Sequence, residues 1–265
     1  MGVVIQRESQ RRISNKILSA LPASAFARIA PNLKPIHLTE GDCLYRASDA
    51  CQYAWFLLNG LVSVVAVTGE GETMDVGMIG PEGTAGILAA FEGWRAPFTA
   101  TVEISGDALE VSAAALRDEF NRHGQLHDIL LKYTAFLYQQ IAHSALCSRF
   151  HRAEQRLCRT LLAISDRIDS RSLRLTHEQL SRLIGAHRPR VTSILDALEA
   201  EKVLHLARGS ISIADREGLK RTAATVTTSS KKRWRTISLT CDSGENVFEI
   251  SGFVSLETDR RLPRA

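Results

Sequence analysis

Aromatic residues make up only 6% of this chain, and its five cysteines, at positions 43, 51, 147, 158 and 241, are odd in number, scattered and without a CxxC pair. That pattern argues against a disulfide framework and against a zinc ribbon. Long hydrophobic runs are missing too. The most continuous apolar stretch, Trp55 to Val67, is interrupted by Asn59, Gly60 and Ser63 and is too short to span a bilayer. Residues 1–20 carry Arg7, Glu8, Arg11, Arg12 and Lys16 in place of an apolar core and a small-residue cleavage site, which reads as a cytoplasmic chain with no membrane partner. No GxSxG, P-loop, HExxH or GxGxxG segment is present, so the sequence offers nothing to an enzymatic reading.

What is present is enough chain, 265 residues, for two domains, and an uneven charge. Residues 1–146 hold 11 basic and 15 acidic residues, whereas 147–221 hold 15 basic and 9 acidic, a net −4 beside a net +6. A basic module that binds a polyanion, joined to an acidic sensor or oligomerisation module, would give this asymmetry.

From Ile36 to Val111 the sequence reads as short strands at Ile36–Leu38, Leu44–Tyr45, Trp55–Leu58, Leu61–Val67, Met74–Ile79, Thr99–Ile104 and Ala108–Val111. Turn signals such as Asn59-Gly60 and Gly80-Pro81-Glu82-Gly83 separate them. Regular short strands imply an antiparallel barrel or sandwich. Asn15–Ile29 looks helical before it, and Ala113–Phe120 after it. A longer helix is expected from Leu126 to Leu146, with an apolar stripe at Leu126, Ile129, Leu130, Tyr133, Phe136, Leu137 and Ile141. The stripe is wider than one small barrel requires, so Leu126, Ile129, Leu130, Tyr133, Leu137 and Ile141 are assigned to a seam with a second copy of the helix. The competing reading has the whole stripe covering the barrel.

The most specific stretch runs from Leu175 to Glu199. Thr176 with Gln179 makes a capping box, Leu180, Leu183 and Ile184 give a short helix its apolar face, and Gly185 can end it in the left-handed conformation. Pro189 suits the first turn of a new helix, whose buried face would be Val191, Ile194, Leu195 and Leu198. Two short helices across a Gly-containing turn form a helix-turn-helix. Arg188 and Arg190, with Ser193 one turn on, then face outward to read base edges, since Arg can donate two bonds to guanine. His187 and Thr192 are candidates for phosphate, as are Thr176 and His177 at the preceding helix N-terminus. Val203–Leu206 and Ile211–Ile213 read as a hairpin wing whose Arg208 could reach phosphate.

On these segments, including His187-Arg-Pro-Arg-Val-Thr192 and Gly209-Ser-Ile-Ser-Ile-Ala-Asp-Arg-Glu-Gly-Leu219, residues 21–223 resemble the cyclic-AMP receptor / fumarate-nitrate regulator (Crp/Fnr) family of bacterial transcription factors. The resemblance implies an α+β fold: a cyclic-nucleotide-binding-type β-roll (a jelly roll) over 21–112, a short helix and a long dimerisation helix over 113–147, and a winged helix-turn-helix over 148–223. An N-terminal extension over 1–20 and a C-terminal one over 224–265 complete the chain. It also implies a homodimer on double-stranded DNA with half-sites roughly 34 Å apart, RNA polymerase as a further partner, and a small-molecule effector. The competing class is a regulatory module that binds a ligand through the β-roll without reading DNA; the Arg188 and Arg190 face counts against it.

The family's nucleotide cassette departs here. Thr84 stands where its ribose-binding Glu is expected and Phe98 where its phosphate-binding Arg is expected, so cyclic AMP binding is not anticipated. Gly80, Glu82, Gly83, Thr84, Gly86, Phe98 and Thr99 remain candidates to line a pocket for some other effector. The first 42 residues lack cysteine, which removes the iron–sulfur variant. His143, Cys147 and His151, spaced i, i+4, i+8, could share a helix face and hold a metal, or Cys147 could sense redox. Without CxxC or HxxxH spacing, ordinary packing is the preferred reading, and no metal or cofactor is expected. In the tail, Lys231, Lys232, Arg233 and Arg235 surround Trp234 and could supplement DNA contacts, although the composition suits a flexible extension.

Overall fold

The computed structural model describes residues 13–71 and 73–224, together with two short strands at 237–238 and 249–250 that pair antiparallel. The basic cluster from Lys231 to Arg235 lies outside the described residues, as does the tail apart from those two strands.

The expected helix over Asn15–Ile29 is two helices, α1 (Lys16–Ala20) and α2 (Ala23–Ile29). Pro22 forces the break, because its ring disfavours helical backbone at Leu21, which is extended at φ −66° and ψ 143°. Asn15 caps α1 and is buried; its Nδ2 donates to the carbonyls of Leu57 and Gly83, each at 2.8 Å. Ile17 and Leu18 are fully buried in the core, so residues 13–20 belong to the first domain and not to an extension.

Eight strands follow: β1 (Lys34–Leu38), β2 (Cys43–Tyr45), β3 (Tyr53–Leu57), β4 (Leu61–Val67), β5 (Thr73–Ile79), β6 (Thr84–Ala85), β7 (Thr99–Ile104) and β8 (Gly106–Ser112). They form two antiparallel four-stranded sheets, ordered β1-β8-β3-β6 and β2-β7-β4-β5. Strand β3 shows why the pair closes into a roll. Its period of two sends Trp55 and Leu57 between the sheets with Val62, Val76, Ile79 and Val102, and sends Ala54 and Phe56 to the helices outside. Apolar character on both faces is what a strand covered on both sides requires.

Ser112 caps α3 (Ala113–Phe120), and α4 (Gln125–Phe150) follows, 26 residues or about 39 Å long. Leu126, Ile129, Leu130, Tyr133 and Phe136 are at most 2% exposed within a single copy of the chain, packed with α1, α2, α3 and the outer face of β3. Leu137 and Ile141 are half-buried against the same roll. The stripe assigned to a dimer seam is therefore the inward face of the helix: packing α1 and α2 beside the roll widens the surface it has to cover. The outward face carries Leu131, Tyr138, Leu146 and Phe150, between 45% and 74% exposed, with exposed Ala135, Ala142 and Ala145 between them.

The second domain contains α5 (Ala153–Ile168), β9 (Ser172–Leu173), α6 (His177–Ile184), α7 (Arg188–Ala200), β10 (Leu204–Ala207), β11 (Ser210–Ile213) and α8 (Arg216–Ala224). Its three-stranded sheet runs β10-β11-β9. One core holds Leu157, Leu161, Leu180, Val191, Leu195 and Leu219, and Leu61 of the β-roll joins it, with Met78 and Ile104 at its edge. The two domains are therefore packed on each other.

Candidate nucleic-acid interface

Thr176 Oγ1 accepts from the Gln179 backbone N–H at 3.1 Å while the Gln179 side chain accepts from the Thr176 N–H at 2.8 Å, the reciprocal cap that the sequence spacing implies. Gly185 ends α6 at φ +60°, a conformation that costs a residue with a side chain far more than it costs glycine. The chain then turns, His187 takes the N-cap position without a side-chain bond, and α7 starts with Arg188 and Pro189. Val191, Ile194, Leu195 and Leu198 are buried, while Arg188, Pro189, Arg190 and Ser193 are exposed. One face anchors the helix and the other presents two guanidinium groups in its first turn.

Two of the expected phosphate contacts are differently employed. His177 Nδ1 and Thr192 Oγ1 lie 2.9 Å apart and hydrogen-bond to each other, tying α6 to α7. His187 is exposed, and Arg208 is exposed at the tip of the β10–β11 hairpin. A groove of about 480 Å³ runs between the start of α6, the start of α7 and this wing, lined by Thr176, His177, Arg188, Gly209 and Ser210, with the Glu178 carboxylate also on its wall. It joins a helix N-terminus to a cation, a combination suited to a backbone phosphate.

Behind the groove, polar bonds lock the domain to the β-roll. Arg167 Nε meets Glu82 at 2.9 Å, with both side chains under 10% exposed, and its Nη2 reaches Gln140 of α4 at 3.0 Å. Gln179 Nε2 donates to the Glu103 carbonyl at 2.9 Å and to Glu40 at 3.0 Å. Glu103 also accepts from Ser63 at 2.9 Å and faces Arg182 at 3.5 Å. Asp75 on β5 has an Oδ2 shut off from solvent without a hydrogen-bond partner among the described residues. Burial, and then the nearby Glu103, hold its carboxyl well above the usual range against the pull of Arg167 and Arg159.

The candidate effector residues are packed by the chain's own groups. A Cβ at Gly83 would lie 2.1 Å from the Tyr133 hydroxyl, and one at Gly80 would meet Glu82 and Arg167. Glu82 is the partner of Arg167, and the Thr84 hydroxyl donates to the Trp55 carbonyl at 3.0 Å. Gly86 sits against the Tyr53 carbonyl, Phe98 is half-buried between the sheets, and Thr99 Oγ1 accepts from the Ala47 N–H at 3.1 Å. The His143, Cys147 and His151 ladder does not form on one helix face: α4 ends at Phe150 and His151 is extended. Arg159 donates to the Cys147 sulfur, so a cation of the chain itself sits there. Burial raises the Cys147 thiol despite Arg159 and Arg156, and lowers His143. No group of three or more metal-ligating side chains occurs among the described residues.

Residues 35–123 match the cyclic nucleotide-binding domain, and residues 155–222 match the Crp-like helix-turn-helix domain. The chain belongs to the Crp/Fnr family. This Crp/Fnr regulator is 22% identical over 214 residues to the CRP-like cAMP-activated global transcriptional regulator of Mycobacterium tuberculosis, a match spanning 78% of this chain and 96% of that one. It is 25% identical over 211 residues to the global nitrogen regulator of a Synechocystis species, spanning 72% and 90%. A crp/fnr-family regulator structure from Eubacterium rectale superposes with a TM-score of 0.62 at 16% identity, over 79% of this chain and 98% of that one, a likeness of fold. Among the described residues no helix is long and apolar enough to cross a membrane.

Sequence reasoning missed Arg167, Gln179 and Arg182 as ties of this regulator's DNA-binding-type domain to its β-roll. No local pattern marks them, because their partners lie 76 to 139 residues away. The outward face of α4 was legible: Leu131 and Tyr138 are seven residues apart, with alanines at the intervening and following heptad positions.

Proposed function

We propose that this Crp-like transcriptional regulator acts as a homodimer that reads a palindromic duplex through α7, with Arg188 and Arg190 on base edges and Ser193 one turn further along. The exposed guanidinium pair on a helix whose opposite face is fully buried carries this reading. Pro189 fixes the first turn that aims the pair, and the groove holding Thr176 and His177 takes a phosphate through backbone N–H groups, with His187 and Arg208 on flanking phosphates. Thr192 acts by positioning α6 through His177.

The second copy meets the outward face of α4. Leu131, Ala135, Tyr138, Ala142 and Ala145 recur at spacings of four and three, with Leu146 and Phe150 beside them, the pattern of a two-helix seam. The β-roll does not take cyclic AMP: Phe98 offers no charge to a cyclic phosphate, and Tyr133 fills the approach over Gly83. Its effector is of another kind. The protein contacts RNA polymerase when bound to DNA and turns over no substrate.

Selection of the purified chain against a randomised duplex library at physiological salt tests the reading. The expected result is a palindrome with half-sites about ten base pairs apart. Arg190→Ala should relax one position of each half-site at a cost of about 1–3 kcal/mol. No enrichment in the presence or absence of cell extract would overturn it in favour of a module that does not read DNA.

A further inference from the structure

A second concave surface lies outside the β-roll, and none of the turn residues Gly80–Gly86 lines it. The groove has a volume of about 450 Å³ and runs between the start of β3, the loop over 91–95 and the first turn of α3. Its walls are aromatic at Tyr53, Phe91 and Trp94 and cationic at Arg95 and Arg117, and no carboxylate lines it. Trp94 is 65% exposed and Tyr53 41% exposed, an unusual amount of aromatic surface to leave in water without an occupant.

The groove is built on fixed parts. Arg95 pairs with Ala50 in a β-bridge and donates from Nη1 to the Ser48 carbonyl at 2.8 Å, while Ala96 N–H donates to Asp49 and Ser48 N–H to Ala96. These bonds hold the loop that carries Trp94. Phe91 stands edge-on to Phe120 with ring centroids 5.2 Å apart, which fixes the floor. Arg117 donates from Nε to the Ala113 carbonyl at 3.3 Å, and its terminal nitrogens have no protein partner among the described residues. Ala113 and Ala114 bring the positive end of α3 to the same wall, and that first turn contains no acidic residue. Glu92 of the same loop is exposed and does not line the groove, and Asp49 accepts from the Arg46 N–H at 2.9 Å.

We propose that this groove is a binding site for a small aromatic carboxylate. The ring lies against Trp94 and Tyr53, and the carboxylate meets Arg117 and Arg95, whose planar guanidinium groups match it in geometry and charge. The volume falls within the range of small-molecule sites, and aromatic walls with a few convergent polar groups are their usual composition. The site is independent of the DNA reading and of the space beside Gly83.

The test is isothermal titration of the full-length protein with 1-naphthoate, with uncharged 1-naphthylmethanol as the matched control. Saturable binding at one per chain is expected, at least about tenfold tighter for the acid than for the alcohol. Arg117→Gln and Arg95→Gln should each weaken naphthoate about tenfold and leave the alcohol unchanged, and Trp94→Ala should weaken both. Trp94 and Arg95 are exposed, and because Arg95→Gln also removes the Nη1 bond to Ser48 that helps hold the loop, unchanged affinity for the alcohol together with unchanged circular dichroism is the reading that the groove stays intact. Absence of saturable binding at millimolar naphthoate, equal affinity for acid and alcohol, or an affinity indifferent to Arg95→Gln would each overturn the proposal. Because heat of ligand binding is the readout, failure of the DNA assay does not bear on the outcome.

Discussion

Replacing Arg167 by Met removes one half of an ion pair enclosed at the contact of the two domains. Glu82 is left with its side chain 7% exposed and without the guanidinium 2.9 Å away, and Gln140 loses the group that meets its Oε1 at 3.0 Å. The methionine retains most of the aliphatic stem, so the change isolates the charge. Breaking a buried pair from one side costs about 3–5 kcal/mol, because the remaining ion stays desolvated without compensation. The double variant Arg167→Met with Glu82→Gln should recover at least half of that loss, since no charge is then stranded. Urea denaturation followed by Trp fluorescence and by far-ultraviolet circular dichroism measures both, and the midpoint shift is the reading. Trp55 is buried in the β-roll, whereas the second domain is mostly helical, so the two probes separate if the variant uncouples the domains. A loss below about 1 kcal/mol, or a double variant no better than the single, would refute the account, since only exposed pairs behave that way.

Three other outcomes follow from the same structure. Asp75 binds its proton more tightly in the folded chain than in the unfolded one, with burial and then Glu103 as the causes, so stability should fall as pH rises from about 4 through its raised pKa. Asp75→Asn should flatten that slope, and parallel urea midpoints for the two proteins between about pH 4 and about pH 8 would disprove the assignment. Tyr138→Glu puts a charge on the face of α4 proposed to meet a second copy, where the ring is 74% exposed, so light scattering should show a dimer for the parent and a monomer for the variant, and a monomeric parent would refute that assignment. Gly185→Ala should cost only about 1–2 kcal/mol in chemical denaturation, the price of left-handed backbone alone, because the added Cβ meets open space. A much larger loss would mean that the turn is crowded after all.

The sequence by itself determined seven of the eight strands of the roll, the helix-turn-helix and the wing, because each is written in short-range chemistry, whereas the two-residue β6 at Thr84–Ala85 exists through its pairing with β3. The cap between Thr176 and Gln179, the left-handed Gly185 and the apolar set Val191, Ile194, Leu195 and Leu198 act over one or two turns, and Arg188 and Arg190 are left outside by the same periodicity. Tertiary structure decided which faces were already taken. Leu126, Ile129, Leu130 and Tyr133 have the spacing of a helix seam, and nothing along the helix says whether the covering surface belongs to the same chain; it does, because α1 and α2 fold back beside β3 and bury that stripe. Thr192 and His177 look equally available in sequence until the helix crossing brings Thr192 Oγ1 to 2.9 Å from His177 Nδ1 and engages those two atoms with each other. The pairing of Arg167 with Glu82 and of Gln179 with Glu103 and Glu40 has no local signature at all, since an ion pair or a side-chain bond depends on proximity in space, and only the docking of the two domains brings these residues together.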